Sequence, residues 1–269
     1  MNLYFRNTGT SWADPNNWSD TDGGASAGVI PTDIDDVFFT ANSGNAVQDT
    51  GILTTIQSLN CTGYTGTLSL DGIVGATSYG INIGGNLTLS AGMRLVANAD
   101  ILLSRIGILV SSNVTTNGVA IPYLMFFGLT TIATLMDTLH VDRLAFATNG
   151  APTFAGSFGF IANSFHNGDP NGRTITLSPG NTYMTGSYTS ISNDDATHGK
   201  IVSSIPGTMA KFTVTGDEQV AHTDFTDIDA SGGRPIYTFK GVVTNCININ
   251  SFVEPVEQPD RTVAHSFIL

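Results

Sequence analysis

The feature that most constrains this chain is the alternation of apolar and polar residues in many very short segments. Side chains that alternate with a period of two lie on opposite faces of a β-strand. Gly, Asn, Asp, Ser or Pro, which favour turns, bound each segment. The clearest segments are 67–70, 81–83, 86–89, 174–177, 211–214 and 246–250. The sequence therefore predicts an all-β protein with many tight turns.

Strand length then separates the possible all-β architectures. A β-sandwich is built from strands of about 5 to 6 residues joined by hairpins, whereas a solenoid uses shorter strands that recur once per side of each coil. Segments 63–70 and 84–92 share a pattern of Gly, a polar residue, Leu, Thr or Ser, and Leu. Their spacing of about 20 residues is typical of stacked coils. We predict a right-handed parallel β-helix.

One region has a second interpretation. The apolar residues at positions 129, 132, 135, 136, 139 and 144 are spaced so that they could mark one face of a helix. Four threonines and a valine in the same region lower the helix propensity. We therefore expect strands and turns here.

The solenoid interpretation divides the chain into three parts. Residues 1–45 contain Trp12, Trp18 and an apolar cluster at 37–39, and they are predicted to form an N-terminal cap or docking segment. Residues 46–250 are predicted to form the β-helix body. Residues 251–269, which include Pro255 and Pro259, are predicted to form a C-terminal tail or cap.

Composition excludes several classes of function. The 269 residues are 41% hydrophobic, which is enough for a substantial core. Lys and Arg number 10 against 22 Asp and Glu, and this formal net charge of −12 disfavours nucleic acid as a partner. No apolar stretch reaches the roughly 18 to 20 residues of a membrane-spanning helix, and the N-terminus lacks the pattern of a secretory signal. We expect a chain used inside a cell, or assembled there into a particle that later leaves.

Three stretches resemble known β-helix surface proteins of phages and bacteria. Residues 9–19, which hold Trp12 and Trp18, are followed by Pro31 and an Asp-Asp pair, as in the opening segment of many such proteins. Residues 144–187 are similar to coils of the same proteins. Residues 222–233, in which a strand runs into an Ala-Ser-Gly-Gly turn, look like one of their late coils. Adhesins, tail spikes, capsid decorations and polysaccharide lyases all use this fold, so the resemblance implies a fold more than a function.

The resemblance, combined with the missing export signal, implies a non-catalytic virion protein assembled in the host cytoplasm. It would be a capsid decoration (cement) protein or a short tail spike or fibre. We expect a homotrimer that contacts other virion proteins and a possible host-surface glycan, and that uses no cofactor. The alternatives are a glycan-depolymerising tail spike and a carbohydrate-binding adhesin.

The depolymerase alternative requires a pair of carboxyl groups on one face. Asp224, Asp227 and Asp229 are the best acidic cluster, and a period of two would place Asp227 and Asp229 on the same side of a strand. The favoured interpretation of the three is a polar outer face beside a turn. Asp194 and Asp195, close in sequence to His198, are a weaker candidate.

Two further sets of residues are candidates for ligand binding. Asp33, Asp35 and Asp36 could offer oxygen ligands to Ca²⁺, although their spacing matches no known calcium loop. The five histidines lack the spacing of a zinc site, so we expect no metal. Trp12 and Trp18 could stack on sugar rings if they were exposed, and we rank this below a role in covering the first coil.

Overall fold

The computed structural model describes residues 1–49, 54–70, 81–96, 113–126, 132–146, 153–167, 174–190, 197–216 and 218–252. Within these ranges the chain is all-β apart from a single 3₁₀ turn at Pro15–Asn17. None of the described residues lies in a helix with the length and apolarity needed to cross a bilayer. The strands of the first half are β1 (Asn2–Phe5), β2 (Trp18–Ser19), β3 (Asp36–Phe38), β4 (Ala46–Val47), β5 (Thr54–Ile56), β6 (Ser58–Asn60), β7 (Thr67–Ser69), β8 (Ile81–Ile83), β9 (Leu87–Thr88), β10 (Arg94–Val96), β11 (Asn113–Thr115), β12 (Ile121–Phe126) and β13 (Ile132–Leu135).

The strands of the second half include the longest ones. They are β14 (Leu139–Phe146), β15 (Thr153–Gly156), β16 (Phe160–Asn167), β17 (Thr174–Leu177), β18 (Thr182–Ser190), β19 (Gly199–Ser203), β20 (Ala210–Val214), β21 (Glu218–Ala221), β22 (Thr223–Thr226), β23 (Ile228–Asp229), β24 (Ile236–Phe239), β25 (Val243–Thr244) and β26 (Ile249–Phe252). The ambiguous region from 129 to 144 forms strands β13 and β14 where it is described.

The strands form long parallel sheets. The largest sheet has twelve strands in the described ranges, in the order β2-β1-β3-β6-β9-β11-β13-β15-β17-β19-β22-β25. A six-stranded sheet has the order β12-β14-β16-β18-β20-β23, and the smaller sheets are β10-β7-β4, β21-β24-β26 and β5-β8. Every strand pairing in the described part of the chain is parallel except that of β2 with β1, which is antiparallel.

The chain leaves each sheet, contributes strands to the others and then returns to the first sheet. We call each such circuit a passage. From β11 to β20 it alternates strictly between the twelve-stranded and the six-stranded sheet. Parallel register partners on neighbouring strands are separated by as few as 13 positions and as many as 34. Parallel neighbours at this separation need crossover connections rather than hairpins. The all-β class is confirmed, and the topology is consistent with a β-solenoid rather than a hairpin-linked sandwich.

An aliphatic ladder runs through the twelve-stranded sheet. One inward residue from each of six consecutive strands pairs with the next in register, and each is at most 2% exposed. The members are Leu3, Val37, Leu59, Leu87, Val114 and Leu135. Burying each side chain contributes roughly 1.5 to 3 kcal/mol. Because each contact lies between strands from successive passages, no single passage could bury this face alone.

The core becomes aromatic in the second half of the chain. Six rings, all at most 1% exposed, follow one another with centroid separations of 5.2 to 5.9 Å. They belong to Phe154, Phe160, Phe165, Tyr183, Tyr188 and Phe212. Tilted and edge-to-face contacts at these distances are the arrangements that aromatic rings prefer.

Asparagine and aspartate occupy several corners between sheets. Asn117, Asn245 and Asn248 have φ values of 49°, 50° and 61°, a left-handed conformation that asparagine tolerates better than most residues. The Asn117 side chain donates to the carbonyl of Leu89 at 2.7 Å, so the corner is also bonded to the preceding passage. Two such corners explain why the predicted strand 246–250 begins only at Ile249.

The two predicted terminal segments are described unequally. In segment 1–45, β1 and β3 belong to the twelve-stranded sheet, and the segment is therefore continuous with the predicted body. In segment 251–269, residues 251 and 252 lie in β26, and residues 253–269 lie outside the described residues.

Candidate functional site

The acidic cluster predicted from the sequence is divided between two sheets. Asp224 lies in β22 of the twelve-stranded sheet, and Asp229 ends β23 of the six-stranded sheet. Asp227 lies between them with φ 56°, so the backbone turns a corner there. The prediction that Asp227 and Asp229 share one side of a strand is therefore wrong, because the alternation with a period of two does not continue through the corner.

The carboxylates of Asp227 and Asp229 are bonded to neighbouring turns. Asp227 accepts hydrogen bonds from the Asn245 side chain and from the Gly207 backbone, and these two bonds lower the pKa of Asp227. Asp229 accepts hydrogen bonds from the side chain and backbone of Ser231, which lower the pKa of Asp229. A general acid in glycan hydrolysis needs a raised pKa, so both shifts run against that role.

Asp224 has a partner that sequence reasoning missed. Its carboxylate lies 2.7 Å from Nδ1 of His198 and also accepts a hydrogen bond from the Val242 backbone at 2.8 Å. The His198 and Asp224 side chains are only 17% and 19% exposed. A carboxylate that holds one ring nitrogen orients the imidazole and leaves the other nitrogen available for a proton transfer. Asp194 and Asp195, the residues predicted to accompany His198, lie outside the described residues.

The acidic residues 33, 35 and 36 are not gathered into a metal site. Asp35 bonds the Met1 ammonium group at 2.6 Å and the backbone and side chain of Thr32. Burial raises the pKa of Asp35, but these bonds outweigh it and leave the pKa lowered. Asp36 instead accepts a hydrogen bond from Ser58, and Asp33 is exposed. No group of three or more His, Cys, Asp or Glu suited to a metal ion occurs among the described residues.

The two tryptophans lie inside an aromatic cluster. Trp12 and Trp18 are 0% exposed, and their rings meet edge to face at 4.8 Å. Nε1 of Trp18 donates to the Trp12 carbonyl at 2.8 Å, and Phe5 and Phe39 pack around the pair. Neither indole has a face on which a sugar could stack. The structure thus corrects the idea of exposed stacking tryptophans and agrees with the alternative in which they cover the first strands.

A row of skipped positions interrupts the pairing within the six-stranded sheet. Strands β12, β14, β16 and β18 pair in register before and after this row. The skipped positions are Pro122, Asp142, Asn163 and Gly186. The Asn163 side chain donates to the Asp142 carboxylate at 2.6 Å across this row. Asp142 and Arg143 are both exposed while Val141 and Leu144 are buried, so the residues after the break continue the outer face with a shifted alternation.

That outer face holds a groove between two rows of side chains. Tyr123, Arg143 and Ser164 are aligned in one row, and Ala145, His166 and Thr189 are aligned in the other. Leu144 and Phe165 lie between the rows and border the groove, but their side chains are at most 1% exposed and pack in the core. The groove has a volume of about 300 Å³. We call it the outer groove.

The outer groove contains an uncompensated cation. Arg143 is exposed and makes no hydrogen bond or ion pair with any residue that the structure describes. The nearest acidic residue in sequence, Asp142, is bonded to Asn163 instead. Burial lowers the pKa of His166, so its imidazole is neutral near pH 7. Tyr123 is partly exposed while its ring also packs on the core.

Comparison of the chain with protein-family models, with curated proteins and with solved structures found no match. The resemblance to phage and bacterial β-helix proteins therefore stays a prediction from the residues quoted for it.

Proposed function

We propose that this chain is a right-handed parallel β-helix that serves as a non-catalytic structural protein on the surface of a bacteriophage particle. Its place would be that of a capsid decoration (cement) protein or a short tail spike or fibre. Right-handedness is supported by the general rule that about 98% of crossovers between parallel strands have this hand.

The observation that carries the proposal is the ladder from Leu3 to Leu135. Six strands from successive passages align without a break in register, and their buried residues form one continuous core. A body of this kind distributes its stability over many equivalent interfaces. Such a body suits a protein that has to keep its shape on a particle.

The use of the acidic residues supports a structural role. Asp227 and Asp229 hold turns together, and Asp224 anchors the backbone of Val242. These three carboxylates form the acidic cluster that the sequence offered to a glycan hydrolase. Their bonds favour the structural interpretation over the depolymerase.

Homotrimerisation is part of the proposal. Met136, Phe158 and Ile205 are 51%, 41% and 53% exposed. Each lies in the corner that follows a strand of the twelve-stranded sheet, namely β13, β15 and β19. We propose that other copies of this chain cover these side chains, since closed symmetry is the common solution for slender subunits.

Two measurements test the proposal. Light scattering should give a mass of three times 28.2 kDa, and a species of 28.2 kDa alone would remove the trimer. Antibodies raised against the purified chain should label phage particles from the source culture in electron micrographs. Labelling of cell lysate without any labelling of particles would overturn the virion assignment.

One observation favours a second candidate, the glycan-depolymerising tail spike. The paired, mostly buried His198 and Asp224 could supply a general base. If the purified chain shortens a host polysaccharide and His198→Ala abolishes that activity, the non-catalytic assignment is wrong. Arg94→Ala, which changes an exposed residue of β10 in a different sheet, is the matched control.

A further inference from the structure

We propose that the outer groove binds an acidic saccharide, that is, a sugar unit bearing a carboxylate. The groove is the surface defined above by Tyr123, Arg143, Ser164, Ala145, His166 and Thr189. This inference goes beyond the proposed function, because it assigns a ligand class to a surface and holds whether or not the chain belongs to a particle.

Arg143 determines the charge of the ligand. It is an exposed guanidinium without a hydrogen-bond partner among the described residues, in a chain whose formal net charge is −12. A guanidinium presents two parallel N–H donors that match the two oxygens of a carboxylate. The only acidic side chain beside it in sequence, Asp142, already accepts from Asn163, so the cation remains available to an external anion.

The ring of Tyr123 favours a sugar over a simple anion as the ligand of the groove. The partly exposed ring of Tyr123 is aligned directly beside Arg143 on the neighbouring strand. Aromatic faces pack on apolar surface while their polar ends stay in water, and a sugar ring offers an apolar face between its hydroxyl groups. An inorganic anion would gain nothing from such a ring.

The opposite row supplies neutral hydrogen-bonding groups. His166 is uncharged near pH 7, so one of its ring nitrogens can donate and the other can accept. Ser164 and Thr189 add hydroxyl groups, and a hydroxyl both donates and accepts. This combination suits a ligand with several hydroxyl groups.

The size of the groove and the net charge of the chain restrict the class of ligand further. A volume of about 300 Å³ is at the lower end for small-molecule sites, which favours one sugar unit in the groove itself. Arg143 and Thr189 are both exposed, so a longer glycan could continue past either. A polyphosphate backbone such as nucleic acid is disfavoured, because one arginine does not offset the net charge of the chain.

Binding can be measured by titrating the purified chain with glucuronic acid, galacturonic acid and N-acetylneuraminic acid. Glucose and inorganic phosphate serve as the neutral sugar and the simple anion for comparison. We expect saturable binding of at least one acidic sugar, and weaker binding of glucose and phosphate. Loss of a charged hydrogen-bonded pair should make Arg143→Ala bind roughly tenfold or more weakly.

Three further variants make the test specific. Arg143→Lys should recover part of the affinity, because lysine keeps the charge but lacks the fork. Tyr123→Ala should weaken the acidic sugar more than phosphate. Arg94→Ala, an exposed arginine on β10 outside the groove, should change nothing and is the matched control. Far-UV circular dichroism verifies that each variant is folded.

Several outcomes would overturn the inference. The inference is wrong if no acidic sugar binds, or if phosphate binds as tightly as the sugars. It is also wrong if Arg94→Ala and Arg143→Ala lose affinity equally. None of these results depends on whether antibodies label a particle. The failure of this inference and the failure of the proposed function are therefore distinguishable.

Discussion

Replacing Leu87 with alanine tests the alignment on which the solenoid interpretation depends. Leu87 is fully buried and lies between Leu59 and Val114 in the ladder. The substitution shortens the inward side chain at an interface shared by two neighbouring strands. If the register is correct, both of these interfaces lose packing at once.

The expected cost follows from the burial. Leucine to alanine removes three carbon atoms, which at roughly 0.8 kcal/mol per methylene group amounts to about 2.4 kcal/mol of lost transfer free energy. The cavity left between Leu59 and Val114 adds to this, because neighbouring strands held in register relax only partially. We therefore expect Leu87→Ala to lower the free energy of unfolding by about 3 to 4 kcal/mol.

Thr88→Ala is the matched control. Thr88 is the next residue of the same strand, is only half-buried and lies on the opposite face. We expect it to cost about 0.5 kcal/mol. Urea denaturation followed by circular dichroism measures both variants, and tryptophan fluorescence separately follows the N-terminal end. Equal costs, or a cost below about 1 kcal/mol for Leu87→Ala, would refute the inward assignment of Leu87 and with it the ladder.

Three other predictions concern individual residues. Asp227 has a lowered pKa, so its ionised form stabilises the fold above the ordinary carboxyl pKa of 3.8, and this contribution is lost as the pH falls through the lower folded-state value. Asp227→Asn should flatten the loss of stability below about pH 4 in an acid titration, and an unchanged profile would contradict the role of that carboxylate. A thiol reagent should modify Cys246 but not Cys61 in the native protein and both in urea, since Cys61 is fully buried whereas Cys246 is partly exposed; two reactive thiols in the native state would refute this burial. Acrylamide should quench Trp12 and Trp18 weakly until the chain unfolds, and strong quenching of the folded chain would show that the aromatic cluster is open.

The fold class could be predicted from the sequence because a period of two is a local property. Strands at 67–69, 81–83 and 174–177 occur where alternation between turn residues predicted them. Threonine likewise indicated strands rather than a helix around β13 and β14. These decisions depend on a few consecutive residues, and no distant contact overrides them.

The alignment of the repeats could not be predicted in the same way. Segments 63–70 and 84–92 look alike, yet Leu68 pairs with Leu95 in one sheet while Leu87 pairs with Leu59 in another. The two segments are different sides of the winding, and a composition shared by all sides conceals which one is which. Register depends on corners of variable length, which leave only a weak signal in a single sequence.

The contacts of the candidate site residues could not be predicted from the sequence for a related reason. Asp227 and Asp229 are close in sequence but are separated by a corner, whereas His198 and Asp224 are distant in sequence but adjacent in space. Arg143 and Tyr123 become neighbours only through parallel pairing of their strands. Residues that are neighbours in a parallel sheet are separated in sequence by the length of one passage, and this length varies along the chain.

The reversed strand β2 closes one edge of the twelve-stranded sheet with a strand of opposite direction. Because β2 runs opposite to β1, a further strand that kept the direction of β1 would have to pair with β2 in the antiparallel sense. β2 has only two residues, so this margin offers few backbone groups to the edge strand of another chain, and edge-to-edge pairing is opposed there.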